Sequence, residues 1–419
     1  MTKQTQTEPQ GAATIPGFHR RWWIVWALFG STVLNYFNRQ TLSVLAPLIS
    51  KELHLSHSDL SHIFAAFQVS YAITWLLGGI FLDIVGTRLG LSIAVVWWSL
   101  VSFVTSFATS VFTFQVLRFL LGIGEGFNWP GASKAVAECF PPKERGLAVA
   151  IFDSGSSVGG AIAAICIPWI ALQFGWRNAF GFSGILGIAW LAWWLLVYPS
   201  QKPKVGLTGN SQVPEKPGLR TWLPILKKRE TWAIVIGRSL TDPVWWFYVF
   251  WLPQYLSDTR GFSLQKIALF AWIPFVAADA GNFAGGFASG ALIKKGMSVM
   301  RSRKWICVAS CLPMLAGIPA ALVQGPALAL TLICFALFGY AAWSTMGLTL
   351  PSDLFPPDVV GSVTGLSGLG AGAVSTVFTL LIGALVDRFS YVPAFVAAGT
   401  MPLLATLSIL LLIRTNGQS

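Results

Sequence analysis

The chain has 419 residues, of which 54% are hydrophobic and only 11% are charged, and its mean hydropathy is +0.65. This composition is too apolar for an ordinary water-soluble globular protein, so it excludes that class and predicts a membrane protein. The net charge of +12 does not indicate a nucleic-acid partner, because the basic residues follow a pattern typical of membrane topology.

Long apolar stretches recur along the whole chain. A membrane-spanning helix needs about 20 mostly apolar residues to cross a hydrocarbon core roughly 30 Å thick. Backbone amides in lipid must be satisfied within the spanning segment, which favours helices over open strands. We therefore predict an all-α membrane protein with twelve transmembrane helices. They are placed at 22–46, 58–82, 90–108, 112–138, 146–171, 178–198, 231–256, 265–293, 304–323, 327–352, 361–386 and 392–413.

A polar interval rich in proline and glycine, residues 199–230, divides these segments six and six and is predicted to be a cytoplasmic linker. The predicted N-terminal six-helix bundle covers 22–198, and the C-terminal bundle covers 231–413. Residues 1–21 and 414–419 are predicted to be cytoplasmic tails.

The two halves share a sequence pattern. A shift of 215 residues aligns Phe140-Pro141-Pro142 with Phe355-Pro356-Pro357, and Gly155 with Gly370. Parallel repeats of this kind are typical of transporters whose substrate site lies between two halves that rock against each other. The pattern predicts a transporter with two pseudo-symmetric bundles.

The distribution of the 28 lysines and arginines predicts the orientation. With the N-terminus inside, most of them lie at cytoplasmic helix ends or loops. Because basic residues prefer the cytoplasmic side, both termini are predicted to be cytoplasmic. The few in predicted outer loops are Lys51, Arg177, Arg260, Lys266 and Arg388.

The sequence offers no pattern typical of an enzyme or a cofactor site. The five cysteines lie in or beside apolar helices, so neither a disulfide framework nor a metal site is predicted. His54, His57 and His62 are close enough in sequence to suggest a metal, but a solvated loop is the favoured interpretation. There is no Ser/His/Asp arrangement and no phosphate-binding loop, so we expect neither catalysis nor a cofactor.

Ionisable residues within the membrane are costly, so each one is a functional candidate. Arg39 lies 17 residues beyond Trp22 in the first predicted helix, roughly 25 Å along its axis. Its planar guanidinium can hold a carboxylate through two hydrogen bonds. Binding of an anionic substrate and an internal ion pair are the two interpretations.

Arg118 and Glu125 are two turns apart and share one face of the fourth predicted helix. A glutamate at low dielectric can exchange a proton near neutral pH, although a neighbouring arginine opposes this. Glu125 is therefore either the proton-coupling residue or part of a static bridge to Arg118 or Arg39.

Other polar and aromatic residues are candidates with weaker arguments. Arg238 and Asp242 form either a local helical ion pair or a gating or secondary coupling pair, and Asp153 and Asp279 are similarly ambiguous. Aromatic rings can offer flat faces to a sugar acid, although they also abound at membrane interfaces. The aromatic candidates are Tyr36, Tyr71, Trp129, Trp246 and Trp272.

The segment GIFLDIVGTR resembles the loop 2–3 signature of the major facilitator superfamily, with Gly79, Asp83, Gly86 and Arg88 at the matching positions. The resemblance implies a latch at the cytoplasmic side that does not bind substrate. The second half carries Gly290 where related proteins often have aspartate, which puts a mirrored latch in doubt.

More narrowly, the chain resembles the anion:cation symporter family and, within it, the bacterial hexuronate transporters. The segments that carry the resemblance include YFNRQT, CFPPKERGLAVAIFDSGSSVGG, FVAADAGNFAGG and LFPPDVVGSVTGLSG. By resemblance, Arg39 binds the substrate carboxylate and Glu125 couples protons. The cavity-lining positions implied are Tyr36, Tyr71 and Ser156. Asn38 replaces an aspartate of aldonate-transporting relatives, which favours the hexuronate branch.

The resemblance implies a monomeric, proton-coupled importer of glucuronate or galacturonate in a bacterial inner membrane. An aldonate, aldarate or other organic-anion symporter, a sodium-coupled carrier and an exporter are the alternatives within transporters. A membrane sensor that binds a sugar acid without moving it is the alternative of another class.

Overall fold

The computed structural model describes residues 18–140, 142–199, 225–355 and 357–413. The predicted C-terminal tail and most of the predicted N-terminal tail and linker therefore lie outside the described residues. The helices are α1 (Phe18–Leu53), α2 (His57–Val85), α3 (Thr87–Thr105), α4 (Val111–Glu125), α5 (Asn128–Cys139), α6 (Pro142–Phe174), α7 (Trp176–Val197), α8 (Arg229–Arg260), α9 (Leu264–Phe270), α10 (Ile273–Lys294), α11 (Val299–Leu315), α12 (Gly317–Leu322), α13 (Pro326–Leu354), α14 (Pro357–Arg388) and α15 (Val392–Leu412).

Each predicted span coincides with one helix or with two consecutive helices. The prediction of one continuous helix over 112–138 is wrong, because the chain turns at Gly126 and Phe127 between α4 and α5. The spans 265–293 and 304–323 are also divided in two. In the first of these spans, Pro274 lies in the first turn of α10. Proline is tolerated there because the N–H groups of a first turn have no acceptor within the helix.

Eight segments of the described chain are long and apolar enough to cross a membrane. Helices α1 and α8 are not among them, although each is longer than any of the eight. Their hydropathy is lowered by polar residues, among them Asn38 and Arg39 in α1 and Arg238 and Asp242 in α8. The protein is thus a multi-pass, all-helical membrane protein, and the count of twelve crossings stays a prediction.

The same packing pattern occurs in both halves. In the first half α1 packs on α6, α2 on α4 and α3 on α7; in the second, α8 packs on α14, α10 on α13 and α11 on α15. Contacts between the halves join α1 to α8, α2 to α14, and α6 to α9 and α10. Of these helices, α1, α2, α6, α8 and α14 also line a central cavity between the halves.

Helices α2 and α14 run antiparallel and in close contact. A Cβ added at Gly372 would lie 2.9 Å from the Cβ of Ala72, and one added at Gly383 would lie 2.5 Å from Ser61. Eleven residues forward along α14 thus correspond to eleven residues back along α2. This register fixes which residues of the two halves face each other.

Close helix packing in the second half depends on Gly281. An added Cβ there would lie 2.1 Å from the carbonyl oxygen of Phe338 in α13, whereas Gly286 on the same helix has open space. We expect Gly281→Ala to lower the free energy of unfolding by about 1–3 kcal/mol through overpacking. Gly286→Ala is the matched control and should be neutral or stabilising. Thermal unfolding in detergent measures both, and equal melting temperatures for the two variants would contradict this packing.

Candidate functional site

A cavity of about 410 Å³ lies between the two halves. Its size is within the range of small-molecule sites in proteins. Side chains of both halves line it, as expected for a site between two repeats. The lining includes Tyr36, Arg39, Gln68, Tyr71, Trp75, Trp129, Asp153, Arg238, Asp242, Trp245, Trp246, Tyr340, Ser344 and Ser375.

The most deeply buried charges at the cavity are those of Arg39 and Glu125. Their side chains are 1% and 0% exposed, and both Nε and Nη2 of Arg39 lie 3.3 Å from Oε2 of Glu125. Asn35, one turn before Arg39, accepts a 2.9 Å hydrogen bond from Nη2 and donates to the backbone carbonyl of Glu125. A charge pair this well buried is strongly coupled, because loss of either partner leaves the other unpaired at low dielectric.

Aromatic rings surround the guanidinium of Arg39. Its Cζ lies 4.6 Å from the ring centre of Tyr36, 4.7 Å from Tyr71 and 5.1 Å from both Phe67 and Trp246. Desolvated cation–π contacts of this kind are attractive. Trp246 belongs to the second half, so both halves contribute to the surroundings of Arg39 in this conformation.

Arg118 lies behind this pair and does not line the cavity. Its Nη1 donates a 3.3 Å hydrogen bond to the carbonyl oxygen of Arg39. Of the two bridges considered for Glu125, the structure thus contains the one to Arg39. Arg118 adds a second buried positive charge near the carboxylate, and its Nε and Nη2 have no hydrogen-bond partner among the described residues.

A second arginine faces the cavity from the opposite half. Arg238 donates a 2.7 Å hydrogen bond to Asp242 and a 3.1 Å hydrogen bond to the hydroxyl of Ser367. Both members of the ion pair are partly exposed, at 14% and 13%, and line the cavity. The local helical pair predicted from the sequence is therefore present, and it is accessible from the cavity.

The two acidic candidates of α6 and α10 occupy different surroundings. Asp153 lines the cavity and accepts a 3.1 Å hydrogen bond from Nε1 of Trp129. Asp279 accepts a 2.6 Å hydrogen bond from Ser157 of the other half, and this bond joins α6 to α10. Asp279 thus lies at a contact between the halves and outside the cavity lining.

Three residues predicted to bind substrate do not line the cavity in this conformation. Asn38 is buried, Ser156 is half-buried, and Trp272, which immediately precedes α10, donates a hydrogen bond to the carbonyl of Leu269 in α9. Helical spacing explains the first case, because Asn38 points 100° away from Arg39 around α1. The structure provides no cavity contact for these three.

The predicted latch motif is described only in part. Gly86 has a φ of 88° between α2 and α3, a backbone conformation that favours glycine, and Arg88 donates a hydrogen bond to the carbonyl of Leu195. The surroundings of Gly79 and the side chain of Asp83 lie outside the described part of the structure. Its role as a latch stays a prediction.

Sequence reasoning missed several residues of the cavity wall. Trp245 and Tyr340 stack with ring centres 5.6 Å apart, and Trp75 stacks on Trp129 at 6.0 Å. Gln68 and Ser375 were not singled out because they are uncharged and lie in helices full of other small polar residues. Gln68 is one turn before Tyr71, and Ser375 is one turn after Gly372. These positions predict that both residues face the cavity only when the register of α2 and α14 is known.

One end of the helix bundle is closed by a hydrogen-bonded cluster around His57; we call it the His57 end. The imidazole of His57 lies between Asp258 of α8, at 2.8 Å, and Asp387 of α14, at 2.9 Å. Ser58 adds two hydrogen bonds to Asp387, and Tyr391 donates to Asp258. The interpretation of His57 as part of a solvated loop is therefore wrong, because its side chain is 28% exposed and joins the two halves.

Further contacts between the halves lie between this cluster and the cavity. The rings of Phe64 and Phe250 stack with centres 4.7 Å apart, and Ser43 donates hydrogen bonds to the carbonyls of Val249 and Phe250. On the other side, the cavity lining extends to Ser133, Val149 and Leu348. The contacts across the halves named here thus lie at the level of the cavity or nearer the His57 end.

The sequence matches the Major Facilitator Superfamily over residues 28–378. The chain belongs to this superfamily, and the protein is a membrane transporter and not an enzyme. The fold agrees with that of a bacterial homolog to the human lysosomal transporter Spinster in an inward-facing and unoccupied conformation. That structure has a TM-score of 0.73 and 18% identity, with 95% of each chain covered.

Two relatives show which transporters within the superfamily the chain resembles. The chain is 32% identical to the hexuronate transporter of Escherichia coli (strain K12) over 403 residues, which cover 93% of each chain. It is 30% identical to the "Probable galactarate/D-glucarate transporter GarP" of the same organism, with 95% of each chain covered. Within the superfamily, the chain thus resembles the transporters of hexuronates and related sugar acids.

The coupling of Arg39 and Glu125 can be measured by a double-mutant cycle. Arg39→Met and Glu125→Met should each lower the free energy of unfolding by about 3–5 kcal/mol, because each leaves one buried charge unpaired. The double variant should lose much less than the sum of the two. Thermal unfolding in detergent at neutral pH tests this, and additive losses would contradict a coupled pair.

Proposed function

We propose that the protein is a proton-coupled symporter that imports hexuronates such as glucuronate and galacturonate across a bacterial inner membrane. One observation carries the proposal: the buried arginine at the cavity wall, Arg39, is already bound to a carboxylate, that of Glu125. The similarity to a hexuronate transporter over 93% of the chain supports the choice of substrate.

The ion pair suggests how anion and proton are coupled. Arg39 faces the cavity, while Glu125 lies behind it and is fully buried. A substrate carboxylate that binds Arg39 competes with Glu125 for the same guanidinium donors. If Glu125 takes up a proton, Arg39 is released to the substrate without a second buried negative charge. Proton and anion are then carried together.

The closed end supports an alternating-access cycle. With most basic residues in the cytoplasm, the His57 end faces the outside and both termini face the cytoplasm. The contacts of His57, Phe64 and Ser43 across the halves then close the outer side, so this conformation is inward-facing. Rocking of the halves breaks these contacts and withdraws Trp246 from Arg39.

Uptake into proteoliposomes tests the proposal. Labelled glucuronate and galacturonate should accumulate when an inward proton gradient is imposed, and replacement of sodium should not change the rate. Arg39→Ala should abolish uptake. Glu125→Gln should abolish proton-driven accumulation while it retains some substrate exchange, because glutamine is permanently uncharged.

Lys266→Met is the matched control, since it removes an exposed positive charge of α9 outside the cavity lining and should transport like the parent. Equal accumulation by Glu125→Gln and the parent would show that Glu125 is not the proton-coupling residue. Uptake of neither sugar acid would disprove the proposed substrates, and dependence on sodium would disprove proton coupling.

The His57 cluster predicts a pH dependence of the conformational equilibrium. The hydrogen bond to Asp258 raises the pKa of His57 above its ordinary value, against partial burial and with a further contribution from Asp387. Closure at the His57 end therefore favours the imidazolium. Its stabilising effect is complete below the pKa of an exposed histidine and is lost as pH rises through the raised value.

Spin labels at Thr109→Cys and Gln324→Cys, in a chain whose native cysteines are replaced, report the separation of the halves at this end. The population of long distances should grow between about pH 5.5 and pH 8.5. His57→Gln should remove most of that dependence, while His19→Gln, at the opposite end, should retain it. A pH response that survives in His57→Gln would assign the effect to other groups.

Transport of aldarates is a second candidate function, and Arg238 is the observation that favours it. An aldarate carries a carboxylate at each end, and the cavity presents an arginine from each half. The similarity to the galactarate/D-glucarate transporter is in keeping with this. If aldarates are substrates, Arg238→Met should weaken galactarate uptake much more than glucuronate uptake. Equal effects on both would exclude recognition of a second carboxylate by Arg238.

A further inference from the structure

Two uncharged polar side chains at the cavity wall have no hydrogen-bond partner among the described residues. Both side-chain amide atoms of Gln68, on α2, and the hydroxyl of Ser375, on α14, are unpaired. The residues are 2% and 1% exposed, and both line the cavity. Buried polar groups in native proteins are nearly always hydrogen-bonded, so these two call for a physical explanation.

The register of the two helices places the two residues side by side. Gly372 faces Ala72, and His57 faces Asp387 four turns away, so the helices remain aligned over this length. Three residues beyond Gly372, Ser375 faces α2 at the level of Val69 and Gln68. The unpaired groups thus belong to opposite halves and lie at the same level of the cavity wall.

This place is next to the buried arginine. The residue before Gln68, Phe67, and the residue one turn after it, Tyr71, both have their rings against the guanidinium of Arg39. A substrate whose carboxylate binds Arg39 therefore presents its nearest hydroxyl towards this part of α2. In the pyranose form of a hexuronate, where O5 is the ring oxygen, the hydroxyl nearest to the C6 carboxylate is that of C4. This carbon is also the centre at which glucuronate and galacturonate differ.

We propose that Gln68 and Ser375 together bind the C4 hydroxyl of the substrate and determine which C4 epimer is preferred. The inference rests on the proposed function, because it presumes a uronate held by Arg39. An amide offers donors and an acceptor, and a serine hydroxyl offers both, so the pair satisfies a sugar hydroxyl in both roles. The pair itself carries no charge to balance that of a carboxylate or an ammonium group.

Binding of the C4 hydroxyl by Gln68 and Ser375 would also link the two halves of the transporter. The hydroxyl bridges α2 of the first half and α14 of the second, so substrate adds a hydrogen-bonded link between the halves at the level of the cavity. Without substrate, the two groups stay buried and unsatisfied, which costs free energy in the closed conformation. Bound substrate therefore stabilises the conformation in which the two helices are in contact.

The experiment compares the parent with Gln68→Leu and Ser375→Ala, each with glucuronate, 4-deoxyglucuronate and 2-deoxyglucuronate as competing substrates. In the parent, loss of the C4 hydroxyl should raise KM by about 2- to 13-fold, the effect of one neutral hydrogen bond. In each variant this difference should become smaller, because one of the two partners of the hydroxyl is already gone. The effect of the 2-deoxy substitution should stay the same in all three proteins.

Melting temperatures separate this role from a structural one. Replacement of an unpaired buried amide by an apolar side chain of similar size is nearly neutral, so Gln68→Leu should unfold at or above the temperature of the parent. Gln324→Leu, at an exposed position, is the control for loss of a glutamine. If Gln68→Leu does not fold, Ser375→Ala carries the test.

The possible failures are distinguishable. A parent that transports no uronate disproves the proposed function itself. If the parent transports glucuronate but tolerates the 4-deoxy analogue, the assignment of Gln68 and Ser375 is overturned and the proposed function stays intact. The same holds if the variants discriminate against this analogue as strongly as the parent does.

Discussion

The buried ion pair of Arg39 and Glu125 is the interaction on which the other features of the cavity depend. Two opposite charges at 1% and 0% exposure persist at low dielectric only while each has its partner. Asn35 and the surrounding rings orient the guanidinium, and Arg118 adds positive charge nearby. We propose that an anion that enters the cavity competes with this internal carboxylate for Arg39, and that the exchange couples movement of the anion to that of a proton.

The fold positions this pair where two halves meet. Helices α1, α2 and α4 of the first half hold Arg39, its aromatic neighbours and Glu125, while α8 contributes Trp246 and α14 contributes Ser375. The same α2–α14 contact continues to His57 and Asp387 at the closed end. The proposed binding site and the contacts at the His57 end thus share one helix pair, so we expect a change in the contact between α2 and α14 to affect both.

Much of the architecture could be predicted from the sequence, because long apolar stretches and the repeated pattern reflect strong physical constraints. The identities of Arg39 and Glu125 as candidates also followed from the high cost of burying charge. The break between α4 and α5 at Gly126 was missed, because a local turn within an apolar stretch does not change its hydropathy. Gln68, Ser375 and the role of His57 depend on which residues of two distant segments face each other, and no periodicity within one segment contains that information.

The most direct test of the account is the number of protons taken up when a transported uronate binds to the purified protein. Calorimetric titrations in two buffers of different ionisation enthalpy give this number. If the substrate carboxylate displaces Glu125 from Arg39, binding at neutral pH should be accompanied by net proton uptake, and Glu125→Gln should bind without it. Binding without proton uptake by the parent, or the same uptake by Glu125→Gln, would contradict the exchange of carboxylates at Arg39.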